Sequence, residues 1–347
     1  MDLHAIDEAL FAIWKEVWHL GFLQPANLAE ERERFFASDN YMPQFVYKVL
    51  PFDTDVLKGK LESLKKHLER YQGEVIGRLM LQKTEKLLSW LGMLASRGTE
   101  EFTTHAIAYY GKPDAELLDQ AETLLPLEGE RMEATIGSAQ AVTMLQKEAD
   151  KLGLGCMVVE RSGLASRADC VLPKKTLYIR EGTTFSERDV QKLAVHELGV
   201  HARRAMNGTK RKWKLFIMGT AEYETTEEGL AGVMEERAGV SSDNSLKTKG
   251  GLVLGVHHAL NGSFRDVYAY LRGFFAAEGA YRLAFRAKRG LGDTAKPGAF
   301  TKDLIYLKGL TMVRELASET IEQLFVGRVA VEDLEALQSL GLASRTG

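Results

Sequence analysis

The stretch Leu193-Ala194-Val195-His196-Glu197-Leu198-Gly199-Val200-His201 places two imidazoles and a carboxylate in a segment that is otherwise mostly apolar. Upstream apolar positions recur at helical spacing, and Ser186 and Asp189 have the S-x-x-[DE] spacing of a capping box, which predicts a helix beginning at Ser186. The core-facing stripe of this helix continues into Glu197 and His201. Buried polar groups cost free energy unless they are paired, and a metal ion is a partner that would satisfy both histidines.

The spacing of the two histidines differs from that of the common zinc-peptidase helix, H-E-x-x-H. His196 and His201 form an i, i+5 pair, so they point about 140° apart on an ideal α-helix, against about 40° for an i, i+4 pair. A one-residue widening into a π-bulge would bring them together, and Gly199 lies inside the interval. We therefore predict a π-bulge near Gly199. The alternative is an ordinary i, i+4 pair between Glu197 and His201, with His196 packed nearby.

A third metal ligand is required, because catalytic zinc sites use three protein ligands and His/His/Glu is one of the standard sets. The downstream segment 225–231 (TTEEGLA) supplies Glu228 as the candidate. A structural role is open as well, since Thr225 and Glu228 also have capping-box spacing. The competing ligand candidates are Glu222, Glu224, Glu227, His257 and His258.

Composition excludes several classes of protein. The chain has 347 residues with 45% hydrophobic content and a formal net charge of −3, which predicts a globular protein and argues against a nucleic-acid or anionic-membrane partner. The basic run 210–214 is therefore interpreted as a solvated loop, with nucleic-acid binding as the alternative. Cys156 and Cys170 are too few for a disulfide framework. With an acidic amphipathic N-terminus and no membrane-spanning apolar run, we expect a cytoplasmic protein.

The pattern of elements changes near residue 150. Residues 1–150 show helical periodicity and predict a helical N-terminal subdomain, whereas residues 151–347 form the predicted catalytic domain. Segments 156–160, 169–172 and 176–180 are short and apolar or β-branched, and predict a small antiparallel sheet. An edge strand above the metal-binding helix could pair with an extended peptide. The expected fold class is α+β and mostly helical.

Three motifs together resemble a known family. They are HELGVH at 196–201, TEEGLA at 226–231 and KDLIYLKG at 302–309. Their succession resembles the microtubule-associated tyrosine carboxypeptidases, whose bacterial relatives are known by a QEGLA motif, and HExxxH is itself a feature of that family. The resemblance covers roughly residues 150 to 325. It implies a zincin-like metallopeptidase fold.

The resemblance assigns roles to four residues. His196 and His201 match the two histidine ligands, Glu197 matches the catalytic carboxylate, and Glu228 matches the glutamate of QEGLA that is taken as the third ligand of Zn²⁺. Glu227 stands where the bacterial motif has Gln, which leaves Glu227 as the alternative third ligand.

The function implied is that of a zinc-dependent peptidase, a carboxypeptidase acting on the C-terminal tail of a peptide or protein. Glu197 would take the proton of the attacking water and pass it to the leaving amine. Arg265 and Lys302 are the cations predicted to hold the terminal carboxylate of the substrate. The alternative is a regulatory protein or pseudoenzyme of the same fold with a structural metal or none. Glu197 argues against it, because a structural site needs no general base.

Overall fold

The structure, a computed structural model, describes residues 1–130, 132–164, 166–171 and 175–342. The chain divides into two compact units. Unit 1 comprises Met1–Glu128 and Asn244–Leu307, and unit 2 comprises Gly129–Asp243 and Lys308–Gly347. The predicted division into domains 1–150 and 151–347 stays a prediction. The two compact units do not coincide with these ranges, because residues 244–307 group with the N-terminal part of the chain.

The named elements are helical before residue 136 and after residue 185, and the short strands lie between these two positions. Between several of the α-helices lie 3₁₀ helices such as Thr301–Asp303 and Leu324–Val326. In chain order, the main elements are α1 (Leu3–Val17), α2 (Leu28–Ala37), α3 (Thr54–Leu68), α4 (Val75–Ala95), α5 (Glu101–Tyr110), α6 (Ala115–Leu124), β1 (Ile136–Gly137), α7 (Ser138–Lys151), β2 (Met157–Arg161), β3 (Ala168–Val171), β4 (Thr176–Arg180), β5 (Thr184–Phe185), α8 (Glu187–Leu193), a π-helix (Ala194–Ala202), α9 (Arg203–Thr209), α10 (Leu215–Met218), α11 (Tyr223–Arg237), α12 (Asp243–Asn261), α13 (Phe264–Arg272), α14 (Ala277–Lys288), α15 (Leu304–Arg314), α16 (Ser318–Gln323) and α17 (Leu334–Ser339).

The helical character predicted for the N-terminal part is confirmed in unit 1. The four leucines of α3 that recur at helical spacing, Leu57, Leu61, Leu64 and Leu68, are all buried, and α3 packs along α4. Asp53 caps α3 by accepting hydrogen bonds from the backbone N–H groups of Asp55 and Val56. Burial of one apolar stripe with a polar opposite face is what makes such a helix stable in a folded protein.

Unit 2 has a two-stranded antiparallel sheet of β1 and β5 and a three-stranded sheet. The three-stranded sheet, which contains the predicted segments, is mixed, so the prediction that it is antiparallel was wrong. The strand order is β2-β4-β3, with β3 antiparallel to β4 but β2 parallel to it. After β2 the chain crosses to the far edge of the sheet and forms β3, which runs in the opposite direction to β2. It then turns back as β4 between these two strands, so β4 is antiparallel to β3 and parallel to β2. Strand locations are close to those expected; Leu172, the last residue of the predicted segment 169–172, lies outside the described residues.

The helix that carries the histidines begins where the sequence predicts. Ser186 accepts a hydrogen bond from the backbone N–H of Asp189, and the Asp189 side chain accepts one from the backbone N–H of Ser186, so the capping box is complete. The helix then continues through the π-helix into α9. Leu198, Val200 and Ala202 are buried, which fixes this helix on the core of unit 2 and leaves its histidines on the partly exposed side.

None of the helices within the described ranges has both the length and the apolar character needed to cross a membrane.

Candidate metal centre

The π-helix predicted near Gly199 is confirmed and spans Ala194–Ala202. The wider turn brings the rings of His196 and His201 to 4.7 Å between centroids with an interplanar angle of 79°. Donor atoms of His196, Glu197 and His201 all lie within 4.8 Å of one another, and in the part of the chain that the structure describes this is the one such group of three potential ligands. The extra residue between the histidines is therefore accommodated by the helix, and both rings reach one point.

Glu228 faces the same point from α11. Its Oε2 lies 3.6 Å from Nε2 of His196 and 4.0 Å from Nε2 of His201. Two ligands bound to one tetrahedral zinc at about 2.0–2.1 Å are about 3.4 Å apart, so these three side chains fit a shared ion with small adjustments. The competing capping-box role is excluded, because α11 begins at Tyr223 and Glu228 lies inside the helix.

Glu227 is engaged by other partners. Arg328 Nη2 donates to its Oε2 at 2.8 Å, and Arg204 Nη1 lies 3.7 Å from its Oε1. Burial opposes ionisation of this carboxylate, but Arg328, His201 and Arg204 together hold the pKa of Glu227 far below its usual value. A carboxylate already neutralised by two buried arginines is a poor candidate for a metal ligand, so these contacts favour Glu228 over Glu227 as the candidate.

Glu235 is a functional residue that the sequence did not single out. Nδ1 of His196 hydrogen-bonds with Glu235 Oε1 at 2.7 Å, and Lys192 Nζ lies 3.2 Å from Glu235 Oε2. Metal-binding histidines commonly donate their second ring N–H to a carboxylate, which fixes the ring with its other nitrogen towards the metal. A signal was present in the sequence, because Glu235 follows Glu228 by seven residues and thus lies on the same face of α11.

The electrostatics of the cluster favour a bound cation. Burial opposes protonation of His196, but interactions with Glu228, Glu235 and Glu197 raise the pKa of His196 well above its usual value. Carboxylates that converge on a partly buried histidine stabilise positive charge at that point. A divalent ion carries more positive charge than a proton and would therefore be stabilised more strongly there.

Backbone contacts in unit 2 position the helices of the candidate metal centre. A Cβ built on Gly229 would lie 2.1 Å from the carbonyl oxygen of Gly309, and one built on Gly309 would lie 2.1 Å from the carbonyl oxygen of Thr225. Real Cβ atoms do not approach so closely, so both positions require glycine for the close approach of α11 and α15. The two glycines belong to the TEEGLA and KDLIYLKG motifs.

A C-terminal segment, the strap (residues 324–330), holds the end of the histidine helix. The guanidinium of Arg204 donates to the backbone carbonyls of Leu324, Gly327 and Val329 at 2.6–3.0 Å. The basic run 210–214 takes part as well, since Arg211 Nε donates to the carbonyl of Val326 at 3.1 Å. Arg328 of the strap is also the partner of Glu227, so the strap connects directly to the metal centre.

The two predicted substrate-binding cations belong to unit 1. Arg265 donates to the backbone carbonyls of Phe35, Ser38 and Tyr41. Lys302 is 4% exposed, and its Nζ lies 5.3 Å from the ring centroid of Tyr306. Their role in substrate binding stays a prediction.

The rival ligands His257 and His258 also belong to unit 1, on α12. The ring of His258 packs on Tyr270 with 3.8 Å between centroids, so at least this histidine has an aromatic packing role. Glu222 is the exposed N-cap of α11, and Glu224 lies in the first turn.

Comparisons with known proteins show the family to which this sequence is similar. The family model described as Microtubule-associated tyrosine carboxypeptidase matches residues 33–344. Microtubule-associated tyrosine carboxypeptidase 1 of Mus musculus is 27% identical over 333 residues, covering 93% of this chain and 63% of that protein. The Rattus norvegicus protein of the same name is 28% identical with the same coverage. The Putative tyrosine carboxypeptidase MATCAP2 of Mus musculus is 26% identical over 348 residues, covering 94% of this chain and 57% of that protein.

The chain thus spans less than two thirds of the length of these relatives. The family model, in contrast, matches most of the chain, including every residue of the candidate metal centre. On this ground, the chain belongs to the family of the microtubule-associated tyrosine carboxypeptidases.

Proposed function

We propose that this protein is a zinc-dependent carboxypeptidase that hydrolyses the last peptide bond of a peptide or protein C-terminal tail. The observation that carries the proposal is the position of Glu228 Oε2, 3.6 Å and 4.0 Å from the Nε2 atoms of His196 and His201. The names of the relatives, which include tyrosine carboxypeptidase, support the reaction class and make a terminal tyrosine the first substrate to test.

His196, His201 and Glu228 are the residues that would hold the metal. Two imidazoles and one carboxylate form a standard catalytic zinc set that leaves a coordination position open. Bound Zn²⁺ would lower the pKa of a coordinated water to about 7 and polarise the substrate carbonyl.

Glu197 is the proposed general base. It follows the ligand His196 directly, and its carboxylate lies in the same cluster of donor atoms. Its carboxylate takes a proton from the attacking water as the water adds to the peptide carbonyl. The same proton then passes to the nitrogen of the leaving amino acid when the C–N bond breaks.

Two further carboxylates position the ligands. Glu235 holds Nδ1 of His196 by a hydrogen bond of 2.7 Å, and Glu227 faces Nδ1 of His201 at 3.7 Å, beyond hydrogen-bond distance but within ion-pair range. Both carboxylates have basic partners, Lys192 for Glu235 and Arg328 for Glu227. Each ring therefore has a carboxylate on its Nδ1 side, which directs Nε2 towards Glu228.

Strand β3 is the proposed platform for the substrate backbone. Within the described residues it pairs with β4 alone, and it packs beside the π-helix. The edge of β3 that faces away from β4 offers backbone N–H and C=O groups. An extended peptide can pair with such an edge by β-strand addition.

The experiment measures zinc content and hydrolysis in the full chain. The substrates are a short peptide ending in a free-carboxylate tyrosine and the same peptide ending in tyrosine amide; a carboxypeptidase cleaves the first and spares the second. Glu197→Gln should retain zinc and lose at least about 100-fold in kcat, the lower range for loss of a general base. Glu236→Gln, on the same α11 but paired with Arg314, is the control expected to keep both properties.

Three results would contradict the proposal. Stoichiometric zinc that survives both His196→Ala and Glu228→Ala would disprove the ligand set. Unchanged turnover in Glu197→Gln would remove Glu197 as the base. Stoichiometric zinc without hydrolysis of any peptide would favour the regulatory alternative.

A further inference from the structure

Unit 1 concentrates positive charge where α14 ends and the 3₁₀ helix Thr301–Asp303 begins. We call this group the basic cluster; its members are Arg282, Arg286, Arg289, Lys302 and Asp303. It holds four cations and one carboxylate, an excess of three positive charges. The backbone N–H of Phe300 donates to the carbonyl of Ala287 at 2.8 Å, which fastens the two elements to each other.

One ion pair forms the frame of the basic cluster. The Arg286 guanidinium donates to both oxygens of Asp303, at 2.7 Å from Nε and 2.6 Å from Nη2. Arg286 Cζ and Lys302 Nζ lie 5.5 Å and 5.3 Å from the ring centroid of Tyr306, so two cations share one aromatic ring. Both oxygens of Asp303 thus accept a hydrogen bond from Arg286.

Arg289 is the member with a buried donor atom that has no acceptor in the described part of the chain. Its Nε is buried and makes no hydrogen bond to any of the described residues, while its Cζ lies 4.9 Å from the ring centroid of Phe300. Burial and the neighbouring Arg286 both lower the pKa of Arg289, against the attraction of Asp303. A buried guanidinium donor without an acceptor calls for an explanation in a folded protein, and an acceptor from outside the chain would supply one for Arg289.

The structural alternative is that these cations only complement the C-terminal dipole of α14. That effect falls off within the last turn of a helix, so it accounts for Arg286 and not for Arg282 one turn earlier. Arg282 and Arg286 are also an i, i+4 pair of like charge, which disfavours the helix. The helix dipole does not reduce the repulsion between Arg282 and Arg286, and it offers no acceptor to Nε of Arg289. A bound anion would do both.

We propose that the basic cluster is a binding site for a carboxylate-bearing ligand, with Arg289 as its principal donor and Arg282 at its solvent-exposed rim. The planar fork of a guanidinium matches the two oxygens of a carboxylate. Access exists from solvent, because the Arg286 side chain is 32% exposed and Arg282 is exposed as well. All members of the basic cluster belong to unit 1. If the ligand is a peptide terminus, the proposal rests on the proposed function, because Lys302 is one of the cations predicted to hold the terminal carboxylate of a substrate; the binding itself is measured without peptide hydrolysis.

A carboxylate of this kind has two sources, the C-terminus of a peptide and a small free carboxylate. The experiment is calorimetric titration of the full chain carrying His196→Ala, which removes a proposed metal ligand so that zinc does not compete for the anion. The probes are acetate, a tripeptide with a free terminal carboxylate, and the same tripeptide as the amide. Arg289→Met, Arg282→Met and the control Lys60→Met, a lysine exposed on α3, are compared in the same background.

If the ligand is a peptide terminus, the tripeptide acid should bind at least tenfold more tightly than the tripeptide amide. If the ligand is a small free carboxylate, acetate should bind and neither tripeptide should. In either case, Arg289→Met should weaken binding at least tenfold and Arg282→Met about threefold, with Lys60→Met unchanged. The exposed Arg282 keeps the test decisive if Arg289→Met does not fold. Absence of binding of both acids, or affinities that the two arginine variants leave unchanged, would overturn the proposal whether or not the protein hydrolyses peptides.

Discussion

Two adjacent glutamates in this protein have different roles because of the side chains around them. Successive residues on an α-helix point about 100° apart, so Glu228 faces the two histidines while Glu227 faces Arg328 and Arg204. The doublet in TEEGLA does not reveal which glutamate has which partner, since both arginines come from other parts of the chain. Glu227 is the electrostatic anchor of the site, and Glu228 is the proposed ligand.

The two roles predict different losses on substitution. Glu227→Gln leaves Arg204 and Arg328 buried without their counter-charge, so we expect the free energy of unfolding of the metal-free protein to fall by about 3–5 kcal/mol. Glu228→Gln should cost clearly less, because its carboxylate faces histidines and is 16% exposed, yet it should abolish stoichiometric zinc. Urea unfolding with chelator and elemental analysis measure both quantities. Equal losses of stability in the two variants would refute this division of roles.

At the scale of elements, the site depends on how closely helices approach each other. The π-helix brings the two histidines together, and the glycine contact between α11 and α15 sets the position of Glu228. Gly199, inside the π-helix, has ordinary space around it, since a Cβ built there lies 3.5 Å from its nearest neighbour, the carbonyl oxygen of Ala194. The glycines of this site are therefore not equivalent, and the steric requirement lies at Gly229 and Gly309.

An alanine at each of two positions tests this distinction. Gly229→Ala places a methyl group against the backbone of Gly309, and we expect a loss of about 1–3 kcal/mol from overpacking together with at least tenfold weaker zinc binding, because α11 carries Glu228. Gly199→Ala should be neutral or stabilise by about 0.5–1 kcal/mol through helix propensity. Urea unfolding and zinc competition with a chelator provide the readouts. A larger loss in Gly199→Ala than in Gly229→Ala would contradict the steric explanation.

At the scale of the whole molecule, the metal centre is assembled from distant parts of unit 2. The histidine helix, α11 and the strap converge through Arg204 and Arg328, so contacts of the C-terminal strap help to hold the candidate site together. The segments of unit 1 that precede residue 129 contain none of the proposed ligands. The effect of metal on stability should therefore be uneven along the chain.

Removal of metal should loosen unit 2 selectively. A ligand present at 100 times its dissociation constant stabilises the folded state by about 2.7 kcal/mol, and we expect amide hydrogen exchange in the π-helix and α11 to accelerate when a chelator is added. Exchange in α3 and α4 of unit 1 should change little. His196→Ala, which removes a ligand, should abolish the response, and equal acceleration in both units would disprove a metal site confined to unit 2.

Local signals in the sequence predicted the parts of the site that lie close together along the chain. The capping box at Ser186 and Asp189 follows from side chains that bond to their own backbone. The π-helix follows from the spacing of His196 and His201, because two ligands on one helix must share a face to share an ion. Glu228 was identified as a candidate by residue type and motif, and its geometry agrees with that choice.

The histidine helix, its widened turn and the helical character of the N-terminal part could all be predicted from the sequence, since they depend on contacts within a few turns. The direction of β2, the pairing of Glu235 with His196 and the engagement of Glu227 by Arg328 were decided at the level of tertiary structure. Each of these depends on which segments of the chain meet in the fold. The seven-residue spacing of Glu228 and Glu235 places both on one face of α11, but it does not show that His196 lies against Glu235. The unused donor of Arg289 is likewise visible only when burial and all neighbouring acceptors are known.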